Sequence, residues 1–121
     1  MIKDISVVLL GAGKSKRFDT NTLKQNVKIH DKRVIDYSVD FFRKHFNVSK
    51  KYFVINKKIQ LKTLTENEHI LYGSTSRLKS LNNCLNYISS NNLQTKYLLV
   101  HDVARPVLNL ADIKKIIREI H

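Results

Sequence analysis

Only one cysteine, Cys84, occurs in 121 residues, which excludes an internal disulfide and any metal site built from several thiolates, and fits a reducing compartment. Glycine numbers three and proline one, while 42% of the residues are hydrophobic, a balance that excludes a disordered or low-complexity chain. No apolar run is long enough to span a bilayer. The first one is short and interrupted by Lys3 and Asp4, so neither a membrane span nor a signal peptide is expected, and the setting expected is cytoplasmic. Acidic residues are scarce, 10 against 22 lysines and arginines, giving a formal net charge of +12. Such an excess points first to nucleic acid. The cations are nevertheless scattered from Lys28 to Lys115, with no RNP-like aromatic motif, zinc finger or basic heptad among them, so nucleic acid is not expected as the main partner.

What is present is enough for one domain with a real core. The chain is organised around Val7-Val8-Leu9-Leu10-Gly11-Ala12-Gly13-Lys14-Ser15-Lys16-Arg17-Phe18. The run Ile5 to Leu10 shows no alternation, as a parallel strand covered on both faces would. Gly11-Ala12-Gly13 then removes side-chain bulk where the backbone turns. Successive N–H groups in such a turn form a concave anion site, and Lys14, Lys16, Arg17 and Lys24 surround it with positive charge. The segment is not a P-loop, because its two glycines lie too close together and Val8 stands where a P-loop ending in Gly13-Lys14-Ser15 would need its first glycine, and it lacks the third glycine of the dinucleotide fingerprint. Ordinary strand-to-helix punctuation beside a solvated basic face is the competing reading.

Further along, Val34-Ile35, Val39, Phe42 and Phe46 return at helical spacing, and Tyr52 to Ile55 reads as a second core strand. Asn56 to Lys62 is polar and ambiguous; Ile70 to Tyr72 reads as a short third strand. Arg77 to Ile88 reads as a helix whose apolar face is Leu78, Leu81, Leu85 and Ile88, with Cys84 in its core. Tyr97 to Val100 is a buried strand, and Ala111-Asp112 opens a last helix through Ile113, Ile116, Ile117 and Ile120. Strands alternating with helices predict a parallel α/β sheet with right-handed crossovers, whose ligands sit beyond the carboxyl ends of the strands.

Three loops follow strands at that edge: Gly11 to Lys24, Gly73 to Ser80, and His101 to Pro106. The second offers Ser74, Thr75, Ser76 and Ser80, either as helix caps, above all Ser76, or as hydrogen-bond partners for a base or ribose. The third presents Asp102 at the end of a buried strand, where a carboxylate needs a partner. Magnesium bridging phosphate oxygens is one candidate and Arg105 is another. His101 reads as a satisfied core histidine rather than a base or ligand.

The run Leu9 to Phe18, then Leu23-Lys24-Gln25, then Gly73-Ser74-Thr75-Ser76-Arg77-Leu78-Lys79-Ser80, then Val100-His101-Asp102-Val103-Ala104-Arg105-Pro106 resembles the cytidylyltransferases that activate methylerythritol phosphate in isoprenoid synthesis. The ribitol phosphate cytidylyltransferases share most of these marks. The resemblance implies a Rossmann-like parallel sheet with a mixed edge, apparently truncated, and residues 1–121 as the nucleotide-binding portion. It implies transfer of a cytidylyl group from CTP to a sugar or polyol phosphate, 2-C-methyl-D-erythritol 4-phosphate first and ribitol 5-phosphate second, with release of pyrophosphate. Carried over residue by residue, Gly11, Ala12 and Gly13 wrap the triphosphate, and Arg17 and Lys24 stabilise charge at the attacked α-phosphate. Ser74, Thr75 and Ser80 meet the cytosine and ribose, Val103 lies against the nucleotide, and Asp102 binds magnesium. A homodimer is implied for the full-length family.

The chain departs from the family pattern at Gly11, where alanine is usual, at Ser15 and Ser74, where glycine is usual, at Leu23, where proline is usual, and at Thr75, often an aspartate. Leu23 loosens the approach to Lys24, and Ser74 crowds the base pocket. Family members are also roughly twice as long, within the range of a doubly wound domain. An N-terminal half is therefore expected, or a shortened protein that binds CTP without turning it over. Isolated in this way, one edge of the sheet would be left uncovered.

Overall fold

The computed structural model describes residues 2–11, 28–29, 32–45, 48–62, 64–73, 76–93, 95–103 and 110–120. Within these, the chain forms β1 (Ile2–Gly11), β2 (Lys28–Ile29), β3 (Lys32–Arg33), α1 (Val34–His45), β4 (Val48–Ile55), β5 (Glu68–Tyr72), α2 (Arg77–Ser90), β6 (Tyr97–Asp102) and α3 (Leu110–Ile120). The run Ile5 to Leu10 of β1, apolar except for Ser6, is buried because the strand is covered twice: β4 and β6 flank it, both parallel, and helices lie on both faces. The sheet order is β5-β4-β1-β6, and every pairing in it is parallel. Antiparallel pairing is confined to the β2–β3 ribbon, Lys28 opposite Arg33 and Ile29 opposite Lys32, so the mixed edge expected for the main sheet is not found among the described residues.

Strand alternation sorts the core into two layers. On one face, Ile5, Val7 and Leu9 of β1 with Phe53 and Ile55 of β4 pack against Ile35, Val39 and Phe42 of α1 and Ile113 of α3. On the other, Val8, Leu10, Tyr52 and Val54 pack against Cys84 and Ile88 of α2. The helical periodicity of α1 is met at Val34, Ile35, Val39 and Phe42, and Phe46 lies outside the described residues. Strict strand–helix alternation is not met: the connection from β4 to β5 has no helix among its described residues. It turns at once, Ile59 N–H donating to the Asn56 carbonyl at 2.9 Å, and buries Ile59 in the α1-side core where a crossover helix would otherwise contribute.

That crossover is pinned at the amino end of β5. Glu68 lies in the sheet beside Lys51 of β4, and its carboxylate accepts Nε and Nη2 of Arg43 from α1, both at 2.8 Å, and the Thr65 N–H at 3.1 Å. Burial pushes the Glu68 carboxyl up, but the Arg43 guanidinium, the Thr65 N–H and Lys51 together hold it below its ordinary value.

The apolar face expected for α2 is met at Leu81 and Ile88, which pack on the α2-side core, and corrected at Leu78 and Leu85. Leu78 is 68% exposed and Leu85 40%, and the line that meets the sheet is Ser80, Cys84 and Ile88, spaced by four. Tyr52 explains the rotation. Its whole side chain is buried between β4 and α2, with the Tyr87 ring edge-on at 6.3 Å, and small residues at 80 and 84 leave room for it where leucines would overpack. Cys84 is buried, as expected, and burial pushes its thiol up to about 11.

Candidate active site at the strand carboxyl ends

The four parallel strands finish level with one another. Gly11 stands opposite Ile55, Leu10 opposite Asp102, Ile55 opposite Tyr72, and the Gly73 N–H donates to the Ile55 carbonyl at 3.0 Å. The loops leaving β1, β5 and β6 therefore start from one edge, as the sequence predicts. At ~4.8 Å per strand, the β5 and β6 ends lie about 14 Å apart with β1 and β4 between them. The strand order also reverses beside β1, since β4 and β5 follow on one side and β6 on the other. Open α/β sheets bind ligands at this reversal. Here it falls between Gly11 and Asp102.

Gly11 is buried at the end of β1, and no described glycine has positive φ. Gly11 therefore makes no use of the left-handed conformations open to glycine. Asp102 ends β6 on the α2 side, the side of its register partner Leu10. Val103 is buried in the α1-side core, and its N–H donates to the Leu10 carbonyl at 2.9 Å. Neither its side chain nor its N–H is open to a nucleotide.

Ser76 is the N-cap of α2, its hydroxyl accepting the Lys79 N–H at 3.0 Å, which settles its role in favour of capping. Ser80 lies one turn further on, buried on the sheet side of the helix, with its N–H donating to the Ser76 carbonyl at 3.0 Å. Ala12, Gly13, Lys14, Ser15, Lys16, Arg17, Leu23, Lys24, Ser74, Thr75 and Arg105 lie outside the described residues.

His101 points to the α1 side and behaves as the core histidine expected. Its Nε2 is 3.3 Å from Ser38 Oγ, and its ring is 5.9 Å from that of Phe42. Sequence reading passed over Ser38, although a serine on the buried line of an otherwise apolar helix face was a visible signal. It also passed over the ring cluster on the other face. Tyr52 stacks on His69 at 5.3 Å, and Tyr87 Oη lies 3.4 Å from His69 Nδ1. The cluster sits three residues down the strands from the edge, too deep to meet a ligand there.

A groove of about 580 Å³ runs between α1 and residues 60–62, lined by Lys28, Lys32, Arg33, Arg43 and Lys62 among others. Three of these cations are already paired, Lys32 with Asp40, Arg33 with Asp36 and Arg43 with Glu68, which leaves the strand ends the better place for a polyphosphate. No group of three or more metal-ligating side chains occurs among the described residues, and none of their helices is long and apolar enough to cross a membrane.

The family model for IspD, 2-C-methyl-D-erythritol 4-phosphate cytidylyltransferase, matches residues 5–121. The chain belongs to this family. Similar relatives include the 2-C-methyl-D-erythritol 4-phosphate cytidylyltransferases of Haemophilus influenzae, 32% identical over 97% of this chain and 52% of that protein, and of Wigglesworthia glossinidia brevipalpis, 30% identical over 98% and 52%. The bifunctional enzyme IspD/IspF of Pelagibacter ubique is 33% identical over 93% of this chain and 31% of its own length.

Among solved structures, the bifunctional IspDF of Campylobacter jejuni superposes with a TM-score of 0.78 at 22% identity, covering 97% of this chain and 30% of that one. The Francisella tularensis IspD gives 0.75 at 21%, covering 96% and 51%. These likenesses establish the α/β fold for the IspD-family chain. The chain spans about half the length of the curated IspD relatives that it matches.

Proposed function

We propose that this chain is the CTP-binding portion of a 2-C-methyl-D-erythritol 4-phosphate cytidylyltransferase, which transfers CMP from CTP to the sugar phosphate and releases pyrophosphate. The observation that carries the reading is the reversal of strand order between Gly11, at the end of β1, and Asp102, at the end of β6, in a chain of this family. The acceptor phosphate is already a competent nucleophile, so positioning and electrostatic stabilisation, rather than a strong base, carry the rate. The backbone N–H groups of Gly11, Ala12 and Gly13 cradle the triphosphate. Arg17 and Lys24 offset the charge that builds at the α-phosphate and on the leaving pyrophosphate, as phosphoryl-type transfer requires. Ser74, Thr75 and Ser80 bind the cytosine and ribose.

Magnesium fits the donor set, because it is held by one or two carboxylates together with substrate phosphates, and Asp102 supplies a carboxylate at the strand edge. When bound there it neutralises phosphate charge. In this reading the protein works in the cytoplasm, and the full-length enzyme is a homodimer. A second reading, CTP binding without turnover, draws on Leu23 and Ser74, the departures from the family pattern beside Lys24 and in the base pocket.

Calorimetric titration of CTP with magnesium, beside UTP and ATP, tests the proposal. Selective, magnesium-dependent CTP binding that both Arg17→Ala and Asp102→Ala weaken supports it, and a folded chain that does not bind CTP refutes it. Pyrophosphate release with the sugar phosphate separates the two readings.

A further inference from the structure

The end of β6 is held by the ladder on one side only. β1 pairs with it through Leu10 opposite Asp102, and no strand flanks its other side among the described residues. A strand end of this kind frays unless something else secures it. Within β6, Tyr97 and Leu99 pack into the α1-side core and Leu98 and Val100 into the α2-side core, so His101 and Asp102 are consecutive residues on opposite faces. Fixing the imidazole therefore fixes the peptide that links the two, and with it the direction in which Asp102 leaves the strand.

α1 supplies one hold on the imidazole. Ser38 is fully buried, and it is the one polar residue on a buried line otherwise made of Val34, Ile35, Val39 and Phe42. A serine there costs helix propensity relative to alanine, and its hydroxyl costs desolvation unless it is hydrogen-bonded. Its partner is His101 Nε2 at 3.3 Å, and the Phe42 ring beside the imidazole limits the ring's alternatives.

We infer that His101 is a positioning residue, which Ser38 of α1 orients so that the end of β6 presents Asp102 to a magnesium–nucleotide complex. The inference rests on the CTP reading above and deepens it: α1 enters the site through a buried hydrogen bond, without touching the ligand.

The test uses the 121-residue chain with Ser38→Ala and His101→Phe, Asp102→Ala as the reference, and Val39→Ala as a packing control in the same helix. CTP affinity is measured with magnesium and with a chelator, amide exchange is followed at Val103, and melting temperature is recorded for every variant. Loss of one net hydrogen bond should reduce the magnesium-dependent gain in CTP affinity about five-fold in Ser38→Ala and His101→Phe. It should also speed exchange of the Val103 N–H, which closes onto Leu10, by a similar factor, again about five-fold. Val39→Ala should keep both values at an equal or greater loss of melting temperature. The inference is overturned if Ser38→Ala keeps the wild-type magnesium gain, or if Val39→Ala loses it equally. If the unaltered chain shows no magnesium gain, or Asp102→Ala leaves that gain intact, the CTP reading itself fails and the inference falls with it.

Discussion

Arg43→Ala should be far more damaging at neutral pH than an arginine on a helix surface normally is. Glu68, its partner, has a side chain only 1% exposed, whereas that of Arg43 is 28% exposed. Arg43 donates twice to the Glu68 carboxylate at 2.8 Å and once to the Lys62 carbonyl at 3.3 Å, tying α1 to the middle of the crossover and to the start of β5. A buried ion pair contributes little net stability, but removing one partner strands the other charge at a cost of about 3–5 kcal/mol. Because Arg43 keeps some solvent, the lower end applies, about 3 kcal/mol, or roughly 10–15 °C in melting temperature for a domain of this size.

The pH dependence follows from the depressed carboxyl. Glu68 stabilises the fold above the ordinary carboxylate value of 4.5 and loses that contribution as pH falls through its lower folded value. The gap between Arg43→Ala and the unaltered chain should therefore be full at pH 7 and should close in acid. Urea unfolding followed by circular dichroism at neutral and acid pH measures both. A loss below about 1 kcal/mol at pH 7, less than any buried pair should cost, would refute the reasoning, as would a gap that is equally wide in acid.

Tyr52→Phe should stabilise the fold by about 1 kcal/mol, since the Tyr52 hydroxyl is buried with no hydrogen-bond partner among the described residues. Burial pushes the Tyr52 phenol up to about 12, so its neutral form supports the fold below pH 10 and that support is lost as pH rises toward 12; thermal melts across this window should show less alkaline loss for the phenylalanine variant. Cys84 should resist a thiol reagent at pH 8 until the chain opens, so a labelling rate that matches free thiol would contradict its burial. Leu78→Gln and Leu85→Gln should each change stability by under about 0.5 kcal/mol, whereas Ile88→Ala should cost about 3 kcal/mol, measured by denaturant midpoint. Ser76→Ala should cost about 1 kcal/mol through its lost cap, and Ser76→Asp should recover most of it.

Residues alone determined the fold class, because strands alternating with helical patterns, with an unalternating run such as Ile5 to Leu10 among them, point to a parallel sheet covered by helices on both faces. They also placed the three loops at one edge, since every parallel strand ends there, and brought Gly11 and Asp102 into the same expectation before any register was known. Local chemistry was equally legible where one hydrogen bond decides it, as at the Ser76 cap.

The faces were decided only by tertiary structure. Two helical lines of similar spacing run along α2, and setting Ser80 and Cys84 inward while Leu78 and Leu85 face out needed the bulk of Tyr52 beneath them. The partners of His101 and Glu68 were likewise beyond reach, because Ser38 and Arg43 stand 63 and 25 residues away along the chain. Spacing along a chain records periodicity, whereas long-range pairing depends on which elements the sheet order makes neighbours, and that order exists only once the chain has folded.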